Sequence, residues 1–532
     1  MNKKSGRRDF IKNIGLGGTA AALFPGATIQ GVEMINQDKP AIETGNQAKR
    51  KYNASYTGEY LNRVAFPIGG MGAGMFCMEG TGSISHMSVR NRPEIFHEPG
   101  MFAAISIKGF KNGAKLLEGP VPDWKKFGQA NAGNGLGGAT TGLPHFKNAE
   151  LTIRFPFANL NISDTDIPLK VLITGWSPFI PTDENSSGMP VGAMEYRFTN
   201  TGKTAIDAVF SFNSKNFLRI DKGRNSIRSI PNGFILTELG TTDKPFRSDF
   251  TVFTNDSSTV IDHCWFRGGW WDPLTMAWNA VKNAEVKSTA PVDEGAPGAS
   301  LYVPFKLNAG QEKTIRLHFA WYTPDSEMTF GKMGERKEGC DPDTGCCNSP
   351  SDIGLDKYDQ DFKEKFYKPW YSNRFKNIEE VASYWKDQYE DLRKKSVLFR
   401  DAFYSSTLPP EVIEAVAANL TILKSPTVMR QFDGRLWSFE GCGDNWGCCH
   451  GSCTHVWNYA QAIAHLFPVL ERGLRHTEFC ESQDKNGHQN FRSTLPIQQA
   501  THEFHAAADG QLGGIMKAYR EWRIGGDKEW LQ

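Results

Sequence analysis

The sequence predicts a multidomain β + α architecture, an N-terminal antiparallel β-sandwich followed by an all-helical domain. Two observations carry this. Apolar residues recur every second position up to about residue 325, and with a helical period of about 3.6 from residue 377 onward. The change of period falls across "KEGCDPDTGCCNSPSDIG", whose glycine, proline, aspartate and serine content marks a linker. The expected divisions are therefore a sandwich over 55–330, a linker over 331–376 and a helical domain over 377–532.

The first thirty residues read as an address. "SGRRDFIKNIGLGGTAAALFPGA" has a basic start, the pair Arg7 and Arg8, and a short, mildly apolar run ending in small residues. This is the pattern of a twin-arginine export signal over residues 1–30. The run from Ile14 to Phe24 is too short and glycine-rich to span a bilayer, and no other stretch reaches spanning length. The expectation is an exported protein, periplasmic or extracellular, with no membrane span.

Strand patterns follow. "LTIRFPF" alternates Leu151, Ile153, Phe155 and Phe157; "MEYRF" alternates Met194, Tyr196 and Phe198; "TIRLHFAWY" alternates Ile315, Leu317, Phe319 and Trp321. Each presents one apolar face, as a half-buried strand requires. Turn residues in "TNTGKT" and "SIPNG" separate such runs at short intervals, which argues for antiparallel pairing. The glycine-rich "PIGGMGAG" at 67–74 lacks the spacing of a dinucleotide site. Its glycines are expected to mark tight backbone in a loop between domains.

Beyond the linker, Asn377 can cap a helix with Glu380 three residues on, and Ile378, Val381, Trp385, Leu392 and Phe399 follow one face. A second helix opens at Pro409 and Pro410, carries Ile413, Val416, Leu420 and Leu423, and stops before Pro426. A third takes Val456, Tyr459, Ile463, Leu466 and Leu470, and a fourth Leu512, Ile515, Tyr519 and Trp522. The chain then breaks off at "GGDKEWLQ", which reads as a sequence interrupted in the middle of a domain.

Composition narrows the function classes. Sixty basic against 59 acidic side chains leave a net charge of +1 without a basic patch, so no nucleic-acid partner is expected. Aromatic residues make up 12% of the chain, with 14 tryptophans, and flat rings with a polar edge suit the faces of sugars. Ten cysteines would meet an oxidising compartment after export. Half of them, Cys442, Cys448, Cys449, Cys453 and Cys480, fall in or near "WSFEGCGDNWGCCHGSCTHVWNY" at 437–459. Adjacent Cys448 and Cys449 are poorly placed to bond to each other. The stretch admits two readings: the wall of a catalytic pocket whose working group is Glu440, or a structural zinc site drawn from the 442–455 cluster with Cys442, Cys448, Cys449, Cys453, His450 and His455. The pocket reading is preferred, since disulfides compete for the thiols and a second well-spaced ligand pair is missing. No cofactor and no metal ligand is assigned on that reading.

Three separated motifs carry a family resemblance. "PIGGMGAG", then "FEGCG" with "CTHVWNYAQAIAHLFPVLERGLR", then "ADGQLGGIMKAYREWRIGGD" together resemble glycoside hydrolase family 116, the family of non-lysosomal glucosylceramidases and bacterial β-glucosidases. The likeness runs from about residue 55 to residue 532. It implies a β-sandwich packed on an (α/α)6 barrel, of which 377–532 would supply only the first part, and retaining hydrolysis of a β-glycoside in a carbohydrate or glycolipid substrate. It maps the catalytic nucleophile onto Glu440, within Phe439, Glu440 and Gly441. It maps sugar contacts onto His455, where relatives carry an aspartate, onto His502 or His505, and onto the region of Asp509, whose simplest reading is a turn or N-cap. The acid/base aspartate of the family would lie beyond residue 532. A carbohydrate-binding protein that has lost catalysis is the alternative from another class.

Overall fold

A computed structural model of the chain describes residues 50–126, 140–331, 365–499 and 506–532. The Arg7–Arg8 signal, the linker cysteines Cys340, Cys346 and Cys347, and both His502 and His505 lie outside those residues.

The region of period two forms antiparallel sheets. The largest has eight strands in the order Asn225–Ile230, Gly233–Gly240, Pro245–Thr254, Glu312–Tyr322, Val191–Asn200, Leu169–Trp176, Phe157–Ser163 and Asn148–Arg154. Its centre pairs the two strongest alternating runs, with Ile315 opposite Tyr196 and Leu317 opposite Met194. A five-stranded sheet, ordered Val260–Asp262, Gly298–Leu307, Ile206–Lys215, Met101–Ile107 and Ala114–Leu116, packs against its inner face. Rings interlock across the gap: Tyr196 on Phe210 at 5.1 Å, Phe198 on Phe305 at 5.3 Å and Phe212 on Phe319 at 5.4 Å. Each such side chain, fully withdrawn from water, stabilises the fold by about 1.5–3 kcal/mol.

Two strand expectations need correction. "LTIRFPF" is two strands, because Pro156 offers no backbone N–H to continue the ladder and the chain turns there, between Asn148–Arg154 and Phe157–Ser163. The second half of the Glu312–Tyr322 strand is buried on both faces rather than one, since His318, Ala320 and Tyr322 pack beneath a helix.

That helix, Ile378–Tyr404, begins as expected: the Glu380 amide donates to the Asn377 side chain at 2.9 Å, and the Glu380 carboxylate accepts from the Lys376 amide at 2.9 Å. Ile378, Val381, Trp385, Tyr389 and Leu392 are buried against the eight-stranded sheet. Glu195, on the sheet, binds the Tyr389 hydroxyl and both Arg393 nitrogens that face it, which clamps helix to strand. The second predicted helix spans Pro410–Leu420 and tightens into a 3₁₀ turn at Thr421–Lys424, with Val416 exposed.

The third predicted helix is two, Asn458–Ile463 and Pro468–His476, because Pro468 cannot donate into the preceding turn and starts a new helix instead. The fourth spans Ala508–Gly525, with its faces opposite to expectation. Leu512, Ile515 and Tyr519 are exposed, while Lys517 and Glu521 are buried. Polar groups reach inward because each is partnered: Lys517 donates to the Thr454 carbonyl at 2.7 Å, and Glu521 accepts from Arg472 at 2.8 Å.

The glycine loop is tight backbone, as its composition suggests. Gly72 has φ +69°, and a Cβ there would lie 2.4 Å from the Arg430 nitrogen. The Arg430 amide in turn donates to the Gly72 carbonyl at 3.3 Å. The loop thus presses sheet-region backbone onto the Val428–Arg430 strand, which leads directly to residue 440.

Candidate active site

Glu440 follows the short Leu436–Ser438 strand, which pairs with Val428–Arg430. Buried Trp437 and Phe439 anchor the segment in a cluster with Tyr367, Leu495 and Ile497, so the chain leaving it has little freedom. A two-residue ladder, Gly441–Cys442 against Gly447–Cys448, folds back over it. The Glu440 amide donates to the Cys448 and Cys449 carbonyls, each at 3.1 Å. Residue 452 is tied alongside: the Ser452 amide donates to the Ser438 carbonyl at 2.8 Å, and the Ser438 amide to the Ser452 hydroxyl at 3.0 Å. The sheet region closes one side through the Ile95 amide, which donates to the Asp444 carbonyl at 2.6 Å.

The Glu440 carboxylate is about one quarter exposed and accepts from Arg492 Nη2 at 3.2 Å. Such a charge-assisted bond fixes where the carboxylate points. Arg492 is itself held by the His450 carbonyl at 3.1 Å. Its position 52 residues downstream leaves no mark in the sequence, and it was not foreseen. His455 lies with Nε2 3.9 Å from Glu440 Oε1, its ring stacked on Phe491 at 5.9 Å. The structure therefore brings together two of the predicted site residues, Glu440 and His455. Asp509 stands in the first turn of Ala508–Gly525, exposed, and accepts from the Gly510 amide at 2.9 Å. That helix opening touches the His455 segment, since a Cβ on Gly510 would meet Thr454 Oγ1 at 2.2 Å.

The cysteines are distributed around this carboxylate. Cys448 and Cys449 lie with sulfurs 3.2 Å apart, and their mutual contact raises the Cys448 thiol pKa. Burial, assisted by the Glu440 charge, pushes the Cys453 thiol up to about 11. His450 is pushed down by burial and by Arg492, and its ring stacks on Phe330 at 5.4 Å. The broad Cys/His knuckle considered from the sequence does not assemble. Among the described residues, one group can converge on a metal ion, Glu440 with Cys453 and His455.

A cavity of about 290 Å³ lies elsewhere, lined by Thr81, Glu98, Glu118, Lys125 and His145 among others. Burial pushes the Glu118 carboxyl up to about 8 there. None of the cavity lining comes from the Glu440 segment.

No helix among the described residues is long and apolar enough to cross a membrane. No curated protein matches the sequence. Similar solved structures include a candidate kojibiose phosphorylase from the human microbiome, at 9% identity and TM-score 0.38, covering 90% of this chain and 51% of that one. They also include a family GH92 α-mannosidase from Bacteroides thetaiotaomicron, at 10% identity and TM-score 0.31, covering 89% and 51%. This chain thus spans about half the length of either. A family model described as beta-glucosidase 2, glycosyl-hydrolase family 116 N-term, matches residues 65–392, which takes in every strand of the two large sheets and the first part of the long helix. The chain belongs to glycosyl-hydrolase family 116.

Proposed function

We propose that this chain belongs to an exported retaining β-glycosidase acting on β-glucosides or related glycosides, glycolipid or oligosaccharide, with Glu440 as nucleophile. The packed sheets are read as the family's β-sandwich and the helices from 378 onward as the first part of an (α/α)6 barrel. The observation that carries the reading is the Glu440 carboxylate. It is part-exposed, its backbone is held by two carbonyls, and its oxygen is aimed by Arg492, in a chain whose family hydrolyses glycosides.

In the first step a Glu440 oxygen attacks the anomeric carbon as the glycosidic bond breaks, and the leaving oxygen takes a proton from a second carboxyl group. The family resemblance puts that group beyond residue 532. Water then attacks the glycosyl-enzyme ester, gives its proton back to the second carboxylate, and frees Glu440 with the anomeric configuration retained. His455 is proposed to hydrogen-bond a sugar hydroxyl from beside the nucleophile, with Asp509 and one of His502 and His505 as further sugar contacts.

Glu440→Gln, made in an enzyme carrying the full catalytic domain, keeps the shape and removes the attacking charge. Turnover of aryl β-glycosides should fall by several powers of ten, well beyond the roughly 1–3 kcal/mol of one unmade hydrogen bond, with folding nearly unchanged. A 2-fluoro-glycoside should label the wild type at Glu440. Near-normal turnover by the variant, or a label on another carboxylate, would show the assignment to be wrong.

Export is proposed on Arg7 and Arg8. Replacing both by lysine should retain the protein in the cytoplasm on fractionation, and unchanged export would refute this route.

A further inference from the structure

The donor atoms of Cys453, His455 and Glu440 converge from two separate turns. Cys453 Sγ lies 3.2 Å from His455 Nε2, and that nitrogen lies 3.9 Å from Glu440 Oε1. One donor atom from each residue lies within 4.8 Å of the others. Bonds of about 2.3 Å from zinc to sulfur and about 2.0–2.1 Å to nitrogen or oxygen, set tetrahedrally, place ligand atoms roughly 3.4–3.6 Å apart. The two measured separations fall on either side of that range, so small side-chain rotations bring the three donors onto one centre.

We infer that Glu440, Cys453 and His455 form a binding site for a divalent cation of the zinc class, its fourth position open to water. The donor set selects the ion. A thiolate with an imidazole favours zinc over magnesium or calcium, which take oxygen ligands. One thiolate and one carboxylate balance the double positive charge, and Cys453 is 1% exposed, so its sulfur is shielded from water once charged.

Neighbouring groups already hold the ligands in place, as outer partners do at metal sites. Phe491 stacks at 17° on the His455 ring, and its carbonyl accepts from the Thr454 amide at 3.0 Å, between the two ligands. The Val456 amide donates to the Cys453 carbonyl at 3.0 Å and shapes the turn. Arg492 orients Glu440. Binding releases the Cys453 thiol proton to solvent, because the thiolate is the ligand form.

The consequence concerns control of the enzyme rather than its fold. An ion bound to Glu440 occupies the carboxylate that attacks the sugar, so zinc would hold the enzyme silent until removed. This consequence rests on the nucleophile reading, whereas the binding itself does not.

The test uses the whole chain, freed of metal by a chelator and titrated with zinc alone, then with cobalt(II) alone as a spectroscopic stand-in. One removable ion per chain is expected, with a sulfur-to-cobalt charge-transfer band and a tetrahedral visible spectrum. Cys453→Ser and His455→Asn, each checked for folding by circular dichroism, should weaken zinc binding by more than about tenfold. Cys453→Ser should also abolish the charge-transfer band. Lack of stoichiometric uptake would overturn the proposal, as would affinity and band unchanged in both variants, or lost instead in Cys442→Ser or Cys448→Ser. In the enzyme carrying the full catalytic domain, zinc should inhibit reversibly. If metal-free Glu440→Gln keeps its turnover, the nucleophile reading fails while the metal stoichiometry still stands on its own.

Discussion

Gly72 shows how much of the site depends on a single absent side chain. Its backbone lies at φ +69°, a region that costs a residue with a Cβ about 1–2 kcal/mol, and its Cα faces the Arg430 backbone at a distance that excludes a methyl group. Arg430 is in turn buried, lies 4.0 Å over the Trp370 ring, and donates to the Gly434 and Glu184 carbonyls and to Asn185. The strand leading to Glu440 therefore cannot move away from an added group without breaking that set. Gly72→Ala should destabilise the protein by roughly 2–4 kcal/mol, combining backbone strain with overpacking. Urea denaturation measures it. A change below about 0.5 kcal/mol, the scale of an inconsequential surface substitution, would mean that the junction is looser than its geometry implies.

Among the elements, legibility in the sequence depended on what covers each face. Val191–Asn200 and Glu312–Tyr322 were readable because Met194, Tyr196 and Phe198 on one and Ile315, Leu317, Phe319 and Trp321 on the other alternate on a single face, with turn residues in "TNTGKT" and "SIPNG" close by in the sheet region. The burial of His318 on the other face was not, since the groups that cover it, Phe253 on a neighbouring strand and the helix that begins at Ile378, are both far away in sequence. Local chemistry showed the Asn377 cap, because a side chain three residues from its partner needs no knowledge of the fold. The break at Pro468 carried the same kind of local signal, but the apolar spacing from Val456 to Leu470 runs across it and masked it. The Ala508–Gly525 helix inverted the expected pattern because Lys517 and Glu521 have charged or carbonyl partners inside, and partners are invisible to periodicity. The site divides in the same way. Glu440 and His455, the candidates that the structure brings within 3.9 Å, stand in one quoted stretch of sequence, whereas Arg492 meets Glu440 only through the folding of the 490–497 segment against Gly451 and Phe330.

Across the whole described molecule, the sheet and the long helix are joined through an interface that contains a histidine with no charged form to offer. His318 is 0% exposed, stacked on Phe253 at 4.8 Å and set edge-on to Tyr389 at 4.6 Å and Trp385 at 6.0 Å. Burial, with the nearby positive charges of Arg316 and Lys386, pushes its pKa down to about 3. The folded state therefore holds the ring neutral, while the unfolded chain takes up a proton near pH 6.5. Between those two values the unfolded state binds more protons, so stability rises with pH and is lost as pH falls from about 6.5 toward 3. The loss between pH 7 and pH 5 attributable to this one ring is about 2 kcal/mol. His318→Gln keeps a polar, uncharged group there and should lower stability at pH 7, yet flatten the acid dependence by about that amount. Urea denaturation of both proteins at pH 7 and pH 5 gives the comparison. Equal acid losses in wild type and variant would mean that the ring is protonated in place and that the helix can lift from the sheet to hydrate it.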